Sequence, residues 1–168
     1  MIAEIIAFFS SNPILLLIIL TFLPFLELRA SIPYGILVLK MNWIPVFIIC
    51  ILANLLLVPF IYLFVNYAMQ AFLKINFIDK IYKKVIGRTQ KKVQPYVEKY
   101  GKIGLALFIG VPLPGSGVYS GGLGAYLLGF NFKDYLKASI IGVLIAGVAV
   151  LLISLLGNGA FGFFIKLI

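Results

Sequence analysis

Pro13-Ile-Leu-Leu-Leu-Ile-Ile-Leu-Thr-Phe-Leu-Pro24-Phe-Leu-Glu27-Leu-Arg29-Ala-Ser-Ile-Pro33-Tyr-Gly35-Ile-Leu-Val-Leu-Lys40 is the stretch that decides the fold. Its first apolar run, Pro13 to Leu26, is 14 residues long and stops at Glu27-Leu28-Arg29. Its second, Ala30 to Leu39, is ten residues long and stops at Lys40. A membrane-spanning helix needs about 20 apolar residues, so neither run spans alone. Together they make a stretch broken in the middle by two charges and by Pro24 and Pro33, which allows two readings. One is a single spanning helix that buries two charges. The other is a hairpin that enters the membrane, turns near its middle and leaves on the same side. Pro33 removes a backbone hydrogen bond from a continuous helix and Gly35 adds a second weak point, which favours the hairpin. Irregular backbone at membrane depth is tolerated where it lines a cavity or is buried in protein.

Outward from this stretch the pattern recurs. Ile44 to Leu73 has no charge in 30 residues and reads as a long spanning helix. Asn42 is its expected N-cap, and Pro45 then lies in the first turn, where it is tolerated. Lys74 to Lys102 holds nine basic residues and two acids, Asp79 and Glu98. Its apolar residues Ile78, Ile81, Tyr82, Val85, Ile86 and Val93 follow helical spacing, so it reads as a basic amphipathic helix on the membrane surface. A solvated loop that only sets topology fits the same residues. Ile103 to Val111 and Val118 to Phe130 are again short apolar runs, here separated by Pro112-Leu-Pro114-Gly115-Ser116-Gly117. Ile140 to Leu156 is the second full-length candidate, and 158–168 is a short apolar tail that cannot span.

Composition agrees. The 168 residues are 63% hydrophobic and 11% charged, with a mean hydropathy of +1.15. Soluble domains carry about 25% charged residues, so an ordinary globule, a disordered chain and a solvated coiled coil are excluded. The net charge of +9 raises nucleic acid as a partner, but eleven of the fourteen basic residues lie in 74–102 or at Lys133 and Lys137. They read as topology markers, and no nucleic-acid partner is expected. There is no His and one Cys, Cys50, read as a lipid- or core-facing apolar residue. No metal, cofactor or enzymatic centre is expected. Met1 to Asn12 has Glu4 and no basic residue, so no secretory signal is expected there.

The halves align at an offset of 89: Gly35, Leu39 and Asn42 fall on Gly124, Leu128 and Asn131, and Trp43 falls on Phe132. With 74–102 cytoplasmic, the first hairpin opens outward and the second inward. The expected fold is thus an all-α integral membrane protein, a single membrane domain over 1–168. It has two inverted repeats (1–73 and 103–168), each a re-entrant helical hairpin plus a spanning helix, joined by the basic cytoplasmic helix 74–102. Inverted repeats place a substrate site at mid-membrane between broken helices.

Two candidates carry chemistry there. Glu27 and Arg29 are the only charges between Ile5 and Leu39. An ionisable residue within a membrane costs at least about 2.5–3.5 kcal/mol and is a functional candidate by default. Glu27 is expected to carry a proton and Arg29 to hold a phosphate or carboxylate; a static ion pair closing the hairpin is the alternative. In the second break, Pro112 and Pro114 end a helix, and Gly115 and Gly117 free the backbone. Ser116, Tyr119 and Ser120 add hydroxyls, and a half-helix starting at Val118 would aim its positive end at an anion. A tight turn with glycines for packing is the alternative. Pro33 and Asn54 complete the expected pathway, with Asn54 the deepest polar residue of the long helix; Asn66 and Gln70 are expected to bond between helices.

Phe25-Leu-Glu27-Leu-Arg29-Ala-Ser-Ile-Pro33-Tyr-Gly35 resembles the first signature of the small multidrug export family, and Val111-Pro-Leu-Pro-Gly-Ser-Gly-Val-Tyr-Ser-Gly121 resembles its second. That family is more distantly similar to the DedA membrane proteins. The resemblance implies two oppositely oriented re-entrant hairpins, each packed with a spanning helix. For DedA proteins it implies proton-motive-force-dependent transport or flipping of lipids, including polyprenyl phosphates. DedA members carry an Arg in the second signature, whereas this chain has none between Lys102 and Lys133. The expected function is proton-coupled translocation of a lipid phosphate or amphipathic small molecule. A passive lipid scramblase and a non-transporting assembly scaffold are the alternatives. The expected location is the plasma membrane, multi-pass, with membrane lipids as partners and the chain as a monomer or homodimer.

Overall fold

The computed structural model describes residues 12–72, 91–113 and 115–156, with the backbone alone over 68–72. Among the described residues every regular element is helical. Helix α1, Pro13–Phe22, begins with its proline in the first turn. The chain then reverses over residues 23–26, where the N–H groups of Leu26 and Glu27 both donate to the Leu23 carbonyl. Phe25 (φ 74°) and Glu27 (φ 48°) take left-handed backbone to do so. Helix α2, Glu27–Pro33, follows.

Of the two prolines expected to break the run, the chain turns at Pro24 and not at Pro33. Leu23–Leu26 turns the chain, and Glu27 and Arg29 open the new helix rather than end the old one. Pro33 does not break α2. It lacks the N–H that would bond one turn back, and the helix widens after it into a π turn, Tyr34–Val38, with Leu39 N–H donating to the Tyr34 carbonyl.

Helix α3, Trp43–Phe72, is 30 residues long, and Asn42 Oδ1 accepts the Ile44 N–H at 2.9 Å. Residues 91–100 are helical, and Gly101 (φ 59°) turns the chain into α4, Lys102–Gly110. Helix α5, Val118–Leu127, and helix α6, Phe132–Leu156, complete the described chain. Helix α6 starts eight residues before the expected Ile140, so Lys133 and Lys137 lie in its first two turns. Asn131 explains the early start: its Oδ1 accepts the Asp134 N–H at 2.8 Å. Of the basic linker, 74–90 lies outside the described residues, as do Pro114 and the 158–168 tail.

Helix α1 packs on α2 and α3, α2 on α3 and α6, α3 on α5 and α6, and α4 on α5 and α6. Helices α4 and α6 approach closely: a Cβ at Gly142 would lie 2.7 Å from the Ala106 carbonyl oxygen. The stretch 91–100 docks through Val93, fully buried against Gly124 of α5.

Trp43–Tyr67 and Phe132–Leu156 are each 25 residues long and apolar enough to cross a membrane. Their outward faces are apolar too, with Ile48, Leu52, Leu56 and Phe60 on α3 and Ile141, Leu144, Val148 and Leu152 on α6 all exposed. A helix that is apolar on every face belongs inside a large core or a bilayer. Helices α1, α4 and α5 have only 10, 9 and 10 residues, about 15 Å or less at 1.5 Å per residue.

The two asparagine caps are separable. Asn131→Ala is expected to cost about 0.5–2 kcal/mol, and Asn42→Ala a similar amount. Thermal unfolding of each variant in detergent checks this.

Candidate functional site at the paired helix breaks

The two breaks meet through two side chains. Glu27 is 3% exposed and Arg29 8%. Their ion pair, Arg29 Nη1 to Glu27 Oε2, is 2.9 Å. Side chains two apart on a regular helix do not face each other. The left-handed φ of Glu27 re-aims its side chain and lets the pair close.

Neither charge is confined to the other. Arg29 Nη2 donates to the carbonyls of Ile109 and Val111, both at 2.9 Å, and to that of Ser116 at 3.2 Å. Ile109 and Val111 lie at the C-terminal end of α4, where helix carbonyls have no partner within the helix. The Glu27 carboxylate accepts the N–H of Val118 at 3.3 Å and that of Tyr119 at 3.5 Å. Those are the first, otherwise orphaned, donors of α5. The negative group therefore sits at a positive helix end and the positive group at a negative one, each the favourable placement. One dipeptide step in the first break caps both helices of the second.

Backbone access makes this contact. A Cβ on Gly117 would lie 2.0–2.2 Å from the Glu27 carboxyl atoms, so only glycine admits the carboxylate. The Ser116 hydroxyl lies 2.7 Å from the Val111 carbonyl and 2.8 Å from that of Leu113, and its single proton serves one of them. Tyr119 donates to the Phe22 carbonyl at the end of α1, tying the second break to the first hairpin. Tyr135 of α6 donates to the Val118 carbonyl at 2.8 Å.

Of the residues expected from the sequence, Glu27, Arg29, Ser116, Gly117 and Tyr119 converge here. Gly115 (φ 81°) makes the turn and Pro112 is half-buried in the same loop. Pro33 is buried in α2 and Ser120 half-buried on α5, both outside this set of bonds. Asn54 is fully buried in α3, and neither atom of its amide makes a hydrogen bond. Sequence reasoning missed Tyr135, Ser139 and Lys92. Ser139 falls on Cys50 at the offset of 89, so the repeat itself held that signal. Lys92 had none: its Nζ comes within 3.6 Å of where a Gly115 Cβ would lie, a contact made only by the docking of 91–100.

No curated protein and no solved structure matches the chain. Residues 27–149, which start at the site carboxylate and take in the first signature from Glu27 onward and all of the second, match the family model described as Putative small multi-drug export protein.

Proposed function

The chain belongs to the small multi-drug export protein family, and from that premise we propose that it is a proton-coupled transporter of a lipid phosphate or amphipathic small molecule. The observation that supports this reading is the Glu27–Arg29 pair, buried within a chain whose long helices are apolar enough to cross a membrane. Protonating Glu27 removes the negative charge from the start of α5. Arg29 keeps its carbonyl partners but loses its counter-charge. The site then carries one uncompensated positive charge in a low-dielectric setting, which favours entry of an anionic head group. Release of the proton restores the pair and expels the anion. Substrate and proton are coupled through charge balance at one place.

The architecture in this proposal is two inverted repeats in the plasma membrane. The short pairs α1/α2 and α4/α5 are re-entrant hairpins, α3 and α6 span, and 74–102 is cytoplasmic. The packing supports this reading, because α2 meets α6 as α5 meets α3. So does the backbone: Lys40 and Gly129, 89 residues apart, both take positive φ, and each precedes an asparagine cap by two residues. Membrane lipids are the partners, no chemical conversion takes place, and one chain forms a complete unit.

Reconstituted into liposomes, the wild-type protein is expected to move a fluorescent lipid phosphate faster when a proton gradient is imposed. Glu27→Gln is expected to lose that dependence and at least about 100-fold of the driven rate, the lower end of the range for removal of a proton-transfer group. Full gradient-driven transport by Glu27→Gln would refute the coupling. Equal lipid movement with and without a gradient in the wild type would instead mark a passive scramblase.

A further inference from the structure

Among the described residues, the buried side-chain atoms with no hydrogen-bond partner are Arg29 Nε, Asn54 Oδ1 and Nδ2, and Ser139 Oγ. They come from three helices, α2, α3 and α6, each of which packs on the other two. Asn54 and Ser139 are both 0% exposed.

The helix register gathers them. Gly35 packs directly under Val46, and one turn back Ser31 lies within hydrogen-bonding reach of Cys50. These contacts set α2 and α3 antiparallel, and Arg29 reaches toward α6 through Ile109: its Nη2 donates to the Ile109 carbonyl, and Ile109 packs against Gly142, three residues beyond Ser139. On α6, the Tyr135 hydroxyl donates to the carbonyl of Val118, whose N–H meets Glu27. Ser139 follows one turn later and approaches that hydroxyl without completing a well-formed bond.

We infer that Arg29 Nε–H, the Asn54 amide and the Ser139 hydroxyl form the seat of an oxyanion beside the ion pair. The chemistry of the donor set selects this class. Arg29 Nε offers one N–H, Asn54 two and Ser139 one O–H, against acceptors only on Asn54 and Ser139. A donor-rich group beside a guanidinium takes a ligand that brings oxygens, such as a phosphate. Interhelical bonding, the default use of a buried Asn or Ser, would pair these atoms with each other or with backbone, and it does not. A buried polar group left without a partner costs stability, and three such groups on mutually packed helices point to a use other than folding. This inference rests on the transport reading of the site and names its substrate-binding residues.

The test is ligand-dependent thermal stability of the full-length protein in detergent. The probes are inorganic phosphate, a short-chain phosphatidic acid, and the matching diacylglycerol as neutral control. The phosphatidic acid is expected to raise the melting temperature by several degrees, and the diacylglycerol to leave it unchanged. A rise with inorganic phosphate alone assigns the same seat to the free ion. In the double variant Asn54→Leu, Ser139→Ala, the ligand-free melting temperature is expected to equal or exceed that of the wild type while the shift disappears. The inference is overturned if neither phosphate probe shifts the wild type, or if the double variant keeps the shift. It is also overturned if the double variant is several degrees less stable without ligand, since the side chains are then structural. A gradient-driven Glu27→Gln with the phosphate shift intact removes only the coupling proposal; coupled transport with no shift in any form removes only this one.

Discussion

Exchanging the two buried charges, Glu27→Arg with Arg29→Glu, is expected to leave the protein as damaged as losing one of them. An ordinary ion pair tolerates such a swap, because attraction between the partners is indifferent to their order. Here the order matters. The swap would place a guanidinium, which has no acceptor, against the N–H groups of Val118 and Tyr119, and a carboxylate against the carbonyls of Ile109 and Val111. Both helix ends would then face a like partial charge. Removing one member of a buried pair costs about 3–5 kcal/mol, and the swapped variant should lie in that range or beyond it. Chemical unfolding in detergent, with Arg29→Met as the single-site reference, measures this. A swapped protein within about 1 kcal/mol of the wild type, the usual scale of a surface pair, would mean that the helix ends contribute little.

Gly117→Ala is expected to be nearly as severe, and for a single reason. The backbone there (φ −90°, ψ −160°) suits any residue, so the methyl group adds no conformational strain. At such a position alanine would ordinarily stabilise by about 0.4–1 kcal/mol, through the unfolded chain. Instead the methyl occupies the place of the Glu27 carboxylate, 2.0–2.2 Å from its atoms. The carboxylate must withdraw and leave two N–H groups of α5 unpaired. Charge-assisted bonds are worth about 1.5–3 kcal/mol each, so a loss of about 2–4 kcal/mol follows, discounted because both bonds are long. In a Glu27→Ala background the same substitution should cost almost nothing. That non-additivity, read from a double-mutant cycle, separates displacement of Glu27 from a general packing defect.

Much of this was legible from residue patterns, and what was not has identifiable physical causes. The long helices followed from uncharged runs of sufficient length, and Asn42 marked the start of α3 by its chemistry. Helix α6 was read eight residues short because Lys133, Asp134 and Lys137 were taken as a boundary. Hydropathy penalises those charges, while the cap at Asn131 and the exposed Lys102–Asp134 pair accommodate them. The first break was assigned to two charges and to Pro24 and Pro33, because proline is the strongest local breaker. The structure turns at Pro24, with positive φ taken by Phe25, a residue with no preference for it, and absorbs Pro33 with a π turn. The pairing of Glu27 with Arg29, and their joint placement against the second break, followed from their isolation in an apolar run. Their partners did not, because main-chain carbonyls and amides leave no trace in side-chain identity. For the same reason the anion expected at the start of α5 has a stand-in within the chain, the Glu27 carboxylate itself.

The bonds from Arg29 to Ile109 and from Glu27 to Tyr119 join residues 80 and 92 positions apart. During synthesis, then, the first half is made with the Glu27–Arg29 pair available to itself but without the Ile109, Val111, Val118 and Tyr119 backbone groups that complete its bonding. Until the ribosome has delivered the second break, that half is an incomplete object in an apolar medium. A nascent chain stalled before residue 109 would expose the intramembrane charges that a quality-control protease can recognise. The same two side chains that lock the finished protein thus tie completion of its first break to the arrival of its second.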